Sequence, residues 1–363
     1  MVKFETIQDM KEAYYGPADS EVALAVTKID APVISTTTGV YNRVYGEAVW
    51  ELLNNMAKSW GVLPKKPLMN TGFRVITARS STLGTGGSAE NADLPETVKP
   101  TWALGAISLK EVVKTFDMSN RAQLLNDGND DTIGFDQIKE YMAKEFANHV
   151  NKMLHGDVGT VAGDNIESID RVCSNQSEES VLLDAGDADI YGFDRSGSTA
   201  YDAYANHNSG TDRALTEAMM RTAIDTIEEN SGESPNVIIT GFDSARDIDA
   251  LVNTQTRYVN ERVSIGVGDA GIQTAAGNDV GLRVAAFDAI PIIRDKDVSK
   301  DTKSRIYFLN TEYLWMGNKQ PVQYFESTSF FEVNKLGKKG MFYLSGELVC
   351  KRLNAQGKIR DLL

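Results

Sequence analysis

One stretch constrains this chain more than any other: Asp131–Gly156, DTIGFDQIKEYMAKEFANHVNKMLHG. Phe135, Ile138, Met142, Phe146, His149 and Met153 recur at steps of three and four, which sets them on one face of a helix. Lys139, Glu140, Lys144, Asn148 and Lys152 fill much of the remainder. Asp130 or Asp131 suits the start, where backbone N–H groups lack partners, and Gly156 suits the left-handed turn that ends it. About 22 residues at 1.5 Å each make a rod of roughly 33 Å, with no proline to kink it. Alone, this is an amphipathic core helix; its flanks give it a context.

The chain of 363 residues is long enough for two domains with proper cores. Its 42% hydrophobic and 24% charged residues are those of a soluble globular protein. A net charge of −14 argues against general attraction to nucleic acid or anionic lipid. Two cysteines, Cys173 and Cys350, make no disulfide framework, which fits intracellular synthesis. The opening MVKFETIQDMKEAYYG lacks the apolar run of a secretory signal, and nothing approaches a membrane span.

Residues 1–70 read as helices and loops without a compact core, with Lys3–Tyr15 and Asn42–Trp60 helical. Residues 73–118 differ. FRVITARSS alternates as a strand, LGTGGSAENADLPETVKP is polar and broken, and TWALGAISLKEVVKTFDMS resumes as a strand or strand pair. This is a long two-stranded excursion, and an isolated hairpin is marginal in water, so it needs something to lie on.

After the long helix, residues 159–212 are rich in Gly, Ser, Asp and Asn, with short apolar islands such as SVLL and DIYGF, and read as loops with room for a small hairpin. Thr211 then suits the cap of a helix with a Leu215, Met219, Ala223, Ile227 stripe closed by Gly232. NVIITGF reads as a buried strand, SARDIDALVN as a helix, GLRVAAF and IPIIR as strands. The last 60 residues are strand-rich, in RIYFLN, TEYLWMG, VQYFES, FFEVNKL and GMFYLSGELVCKRL. From Lys335 onward seven basic residues meet two acids, a pattern whose plain meaning is a solvated face.

No motif for chemistry survives testing. Gly266 to Gly271 fits G-x-G-x-x-G, but the following residues are broken by Gly277 and Gly281 where a helix must begin. Asp127, Asn129 and Asp131 have calcium-loop spacing, yet Thr132 replaces the needed glycine and Ile138 the needed glutamate. His149 lies on the apolar stripe and reads as a core or interface histidine, and His155 is off that face, so no zinc pair forms. Catalytic, cofactor-binding and metal-binding residues are therefore expected to be absent.

The order of segments resembles the major capsid proteins of tailed viruses, with the Hong Kong phage-type shell fold. The matching pieces are the hairpin Phe73–Met118, the approach and spine from Val112 to Asp157, PNVIITGFDSARDIDALVNTQTRY, and the tail from AIPIIRDKDV to KIRDL. The resemblance implies an α+β fold: an N-terminal arm (1–72), an E-loop (73–118), a peripheral (P) domain with the spine helix (119–165), an axial (A) domain (166–320), and P-domain return strands (321–363). It implies a non-enzymatic homo-oligomer of pentamers and hexamers in an icosahedral shell around double-stranded DNA, without tight sequence-specific binding. It also implies scaffold, portal and decoration partners, a place in the virion after synthesis in the host cytoplasm, and no membrane association.

Contacts between copies are expected at the hairpin tip (Leu83, Asp93, Glu96, Lys99) and near Arg257 and Glu261. An encapsulin-type compartment shares the resemblance. A cytosolic α/β enzyme would need a polar constellation that the sequence does not display, and a cell-surface layer protein would need a signal peptide.

Overall fold

The computed structural model describes residues 57–78, 100–126, 134–159, 163–253, 285–327 and 337–363. In chain order these form α1 (Lys58–Val62), β1 (Lys65–Pro67), β2 (Gly72–Ala78), β3 (Thr101–Ala106), β4 (Lys110–Ser119), α2 (Asn120–Asn126) and the long helix α3 (Phe135–Leu154). Then come α4 (Ile169–Val172), α5 (Gln176–Leu182), β5 (Tyr204–Asn206), α6 (Glu217–Ser231), β6 (Val237–Thr240), α7 (Phe242–Asn253) and β7 (Ala285–Phe287). β8 (Ile290–Arg294), β9 (Ile306–Leu309), β10 (Leu314–Ser327), β11 (Gly337–Cys350) and β12 (Gly357–Ile359) follow. Among the described residues, helices and strands mix without a repeating βαβ unit, which is the α+β class. The described residues gather into two compact units: Val113–Phe146 with Gln323–Tyr343, and Asn55–Val112 with Ala147–Val322 and Leu344–Leu363.

The larger unit holds a six-stranded sheet in the order β5-β12-β9-β6-β8-β7. Every residue of β6 (VIIT) is buried, as a β-branched run covered on both faces requires. It pairs parallel with β8 and antiparallel with β9. Met220, Ala223, Ile224 and Ile227 of α6 pack with Ile238, Ile306, Phe308 and Ile359 of the sheet in one core. The sheet also takes in the end of the chain: β12, expected among the return strands, lies between β5 and β9.

The cap of α6 is Thr216, whose side chain accepts from the Met219 N–H, rather than Thr211. Residues just ahead of it are drawn into an extended bridge, where Arg213 exchanges hydrogen bonds with Asp361 and Leu363. Gly232 closes the helix at φ 76, as expected.

The buried line of α3 also shifts. Phe146, Val150 and Leu154 are buried at four-residue steps, and His155 follows them inside. His149, expected on the apolar face, is exposed. Branched aliphatic side chains at 150 and 154 outcompete an imidazole and a methionine for the same packing.

In the smaller unit, strand order β10-β11-β4 backs a cluster of rings. Phe116 lies 5.3 Å from Phe135 and 6.0 Å from Phe342, and Tyr324 lies 5.1 Å from Phe342. Gly340 leaves no room for a Cβ beside Phe116, so a glycine lets that ring reach the sheet. TEYLWMG and VQYFES, read as separate strands, join as β10 through Pro321. That proline sits beyond the Met316–Asn318 stretch paired with β1, so its missing N–H takes nothing from that ladder.

Candidate functional site

Among the described residues, the β2–β3 hairpin is only half covered by its own subunit. Its register sets Ile76 opposite Trp102, Arg74 opposite Leu104 and Phe73 opposite Gly105. Alternation therefore divides it into two faces. On one, Phe73 meets Tyr191 at 5.6 Å and Phe193 at 6.0 Å, both edge-on. A Cβ on Gly105 would come within 2.8 Å of the Phe73 and Phe193 rings, so only glycine allows this seat. The other face presents Ile76, Trp102 and Leu104 at 54%, 60% and 69% exposure. Met69, just ahead of the hairpin, is also exposed.

A second constellation is buried. Ser59 Oγ lies 2.8 Å from His155 Nε2 and donates to Asp295 Oδ2 at 2.7 Å. The Ser59 N–H donates to the same carboxylate, and Asn151 Nδ2 donates to both Asp295 and Asp297. These are the residue types of a hydrolytic triad in a different arrangement. The carboxylate engages the serine rather than the ring, His155 Nδ1 has no hydrogen-bond partner, and the Ser59 hydroxyl is sealed from solvent. Burial pushes the His155 pKa down against the pull of Asp295, Asp297 and Asp170. Burial would raise the Asp295 carboxyl, but the His155 ring and the N–H groups of Asp297 and Ser59 hold it low. The group works as a clamp joining α1, the end of α3 and the 295–299 segment.

A third group is ionic. Lys358 of β12 is fully buried and bonds Asp170 Oδ1 at 3.1 Å and Glu178 Oε2 at 2.8 Å. Arg305 meets Asp170 at 2.6 Å and Asp301 at 2.7 Å, while Arg360 meets Glu178 at 2.7 Å and Asp301 at 3.0 Å. Burial would raise the Asp170 carboxyl, but Lys358, Arg305 and the Val158 N–H together hold it well below the usual carboxylate range. Lys358 and Arg360, expected on a solvated basic face, are thus internal counter-charges. The acids that claim them lie far away in sequence, where a local charge count does not see them.

Glu347 is the exception to this pairing. Oε1 accepts from the Glu167 and Leu348 N–H groups at 2.7 and 2.9 Å, and Oε2 has no partner. Burial, with Glu167 adding to it, pushes its pKa up to about 8.

The contact residues expected from sequence, Leu83, Asp93, Glu96, Lys99, Arg257 and Glu261, lie outside the described residues, as do the glycine-rich Gly266–Gly271 and Asp127–Asp131. Among the described residues, no group of three or more His, Cys, Asp or Glu could hold a metal ion. No described helix is long and apolar enough to cross a membrane. Trp102 and Leu104 had a signal in the alternation of TWALGA; Ser59 with Asp295, 236 residues apart, had none.

The pattern of the family described as SU10 major capsid protein matches residues 112–362, more than two thirds of the chain. The chain belongs to that family. It is a shell-forming major capsid protein with the Hong Kong phage-type fold, and its place is the virion capsid. No curated protein sequence matches this capsid protein. Among solved structures, it is similar to the capsid asymmetric unit of cyanophage A-1(L), with TM-score 0.60 and 14% identity over 87% of this chain and 96% of that one. It is similar also to the capsid of a native GTA particle, with TM-score 0.55 and 14% identity over 96% and 100% of the two chains. The holo-SrpI encapsulin of Synechococcus elongatus has TM-score 0.50 and 10% identity over 88% and 92%. At these identities the structural likenesses speak for fold.

Proposed function

We propose that this capsid protein closes into an icosahedral shell of pentamers and hexamers around a double-stranded DNA genome, with geometry rather than catalysis as its output. The observation that carries the reading is the hairpin with one apolar face seated and the other uncovered, in a chain of a capsid family. A face bearing Ile76, Trp102 and Leu104 is poorly placed in water and well placed against another copy. Repeating such a heterologous contact around an axis closes a ring. Leu83, Asp93, Glu96, Lys99, Arg257 and Glu261 are proposed to extend the contacts. The six-stranded layer serves as the A domain, and the α3 helix with the β10-β11-β4 strands as the P domain.

A net charge of −14 supports loose enclosure, since few phosphates are neutralised and the genome can slide. Synthesis in the host cytoplasm, and scaffold, portal and decoration partners, complete the proposal. The encapsulin likeness favours a protein-filled compartment only at the level of fold, whereas the family match favours a viral shell. Electron microscopy of the expressed chain, with and without a co-expressed scaffold, tests the reading. Closed particles of uniform diameter are expected, and a monodisperse monomer under both conditions would refute it.

A further inference from the structure

We infer that Tyr191 is the positioning residue for the β2–β3 hairpin: it locks the hairpin's root to β11 and so sets the direction in which the uncovered face is presented. This rests on the reading of that face as a contact between copies.

The inference starts from a local rule that the sequence breaks. Ile190 and Phe193 pair across a two-residue turn, with Phe193 N–H donating to the Ile190 carbonyl at 2.9 Å. The two central residues are Tyr191 at φ 55 and Gly192 at φ 76. Positive φ at both positions is what a type I′ turn requires, and its first position favours Asn, Asp or Gly. A tyrosine there carries the left-handed cost of a Cβ with no local return. Its return is long-range.

The Tyr191 hydroxyl donates to the Leu348 carbonyl at 2.6 Å and accepts from the Cys350 N–H at 3.0 Å, both on β11. Its own carbonyl accepts from the Ala106 N–H of β3 at 2.9 Å. Its ring meets Phe73 of β2 edge-on, at 77°. One buried residue in a strained turn thus touches both hairpin strands, β2 through its ring and β3 through its backbone carbonyl, while its hydroxyl holds β11. Phe193, two residues on, completes the seat against Gly105 and is itself stacked on Tyr201 at 4.5 Å. A turn position that gives up local preference for contacts with three distant strands marks a functional placement.

Tyr191→Asn suits the turn and removes the ring and both β11 bonds. Tyr191→Phe keeps the ring and removes only those bonds. Ile224→Val, in the core of the six-stranded layer, serves as a control for plain loss of stability. Three quantities are measured for each: the unfolding midpoint of the unassembled subunit, amide exchange over 72–78 and 101–106, and particle diameter by electron microscopy.

The expected result is a folded Tyr191→Asn subunit with faster exchange in both hairpin strands and loss of uniform closed particles. Tyr191→Phe should fall between it and the wild type, and Ile224→Val should assemble normally at a lowered midpoint. Wild-type exchange or wild-type particles in Tyr191→Asn would overturn the inference. Should that variant not fold, unchanged hairpin exchange in Tyr191→Phe overturns it equally. A wild type that forms no closed particles would instead refute the reading of the face, while the exchange data would still judge Tyr191.

Discussion

The six-stranded layer and the β2–β3 hairpin are built on opposite terms. In the layer, the end of the chain is threaded between β5 and β9, and the charges it brings in, Lys358 and Arg360, are each claimed by buried carboxylates. Both charges find their partners inside the same subunit. The hairpin covers only the Phe73 side and leaves Ile76, Trp102 and Leu104 in water. A region that satisfies itself can fix the subunit's shape; a region half satisfied is, on the proposed reading, completed by a neighbour. The same substitution logic therefore predicts different consequences in the two places, stability in one and assembly in the other.

The largest loss is expected in the layer. Lys358→Met should cost roughly 3–5 kcal/mol in denaturant unfolding of the subunit, because Asp170 and Glu178 would remain buried without their shared cation. A cost below about 1 kcal/mol would show that burial of β12, not the ionic group, holds the sheet.

A smaller effect of opposite sign is expected at Glu347. Its folded pKa of about 8 stands above the ordinary value of 4.5, so the folded state keeps a proton that the unfolded state releases. This residue's contribution to stability therefore falls as pH rises from 4.5 to 8, and is constant above that window. Glu347→Gln removes the dependence. The variant should gain on the order of 1–3 kcal/mol over the wild type at pH 8 and little at pH 4.5, measured by unfolding midpoints across that range. An equal difference at both pH values would place the buried charge elsewhere.

The two regions also differ in what their sequence discloses. VIIT and the stripe of α6 announced the layer, because runs and periods of apolar residues are local signals. Alternation in FRVITARSS announced the hairpin's first strand. The pairs that lock the layer are not local: Arg305 meets Asp170 across 135 positions and Lys358 meets it across 188. A basic run at the end of the chain looks the same whether its partners are water or distant carboxylates, which is why Lys358 and Arg360 read as a solvated face. His149 and Val150 show a related ambiguity, since two adjacent helical stripes are both compatible with the spacing and only the packed neighbours choose between them. Tyr191 reads as part of an apolar island until the turn's φ values and its four partners are seen together.

The smallest stability effect carries the heaviest functional consequence. Trp102→Ser removes an exposed indole from the uncovered hairpin face and should leave subunit stability within about 0.5 kcal/mol. The decisive measurement pairs that unfolding curve with electron microscopy of the same preparation under assembly conditions. The expected result is a subunit as stable as the wild type that no longer forms closed shells. Closed shells of wild-type size and yield from Trp102→Ser would contradict the view that this face is completed by a neighbouring copy.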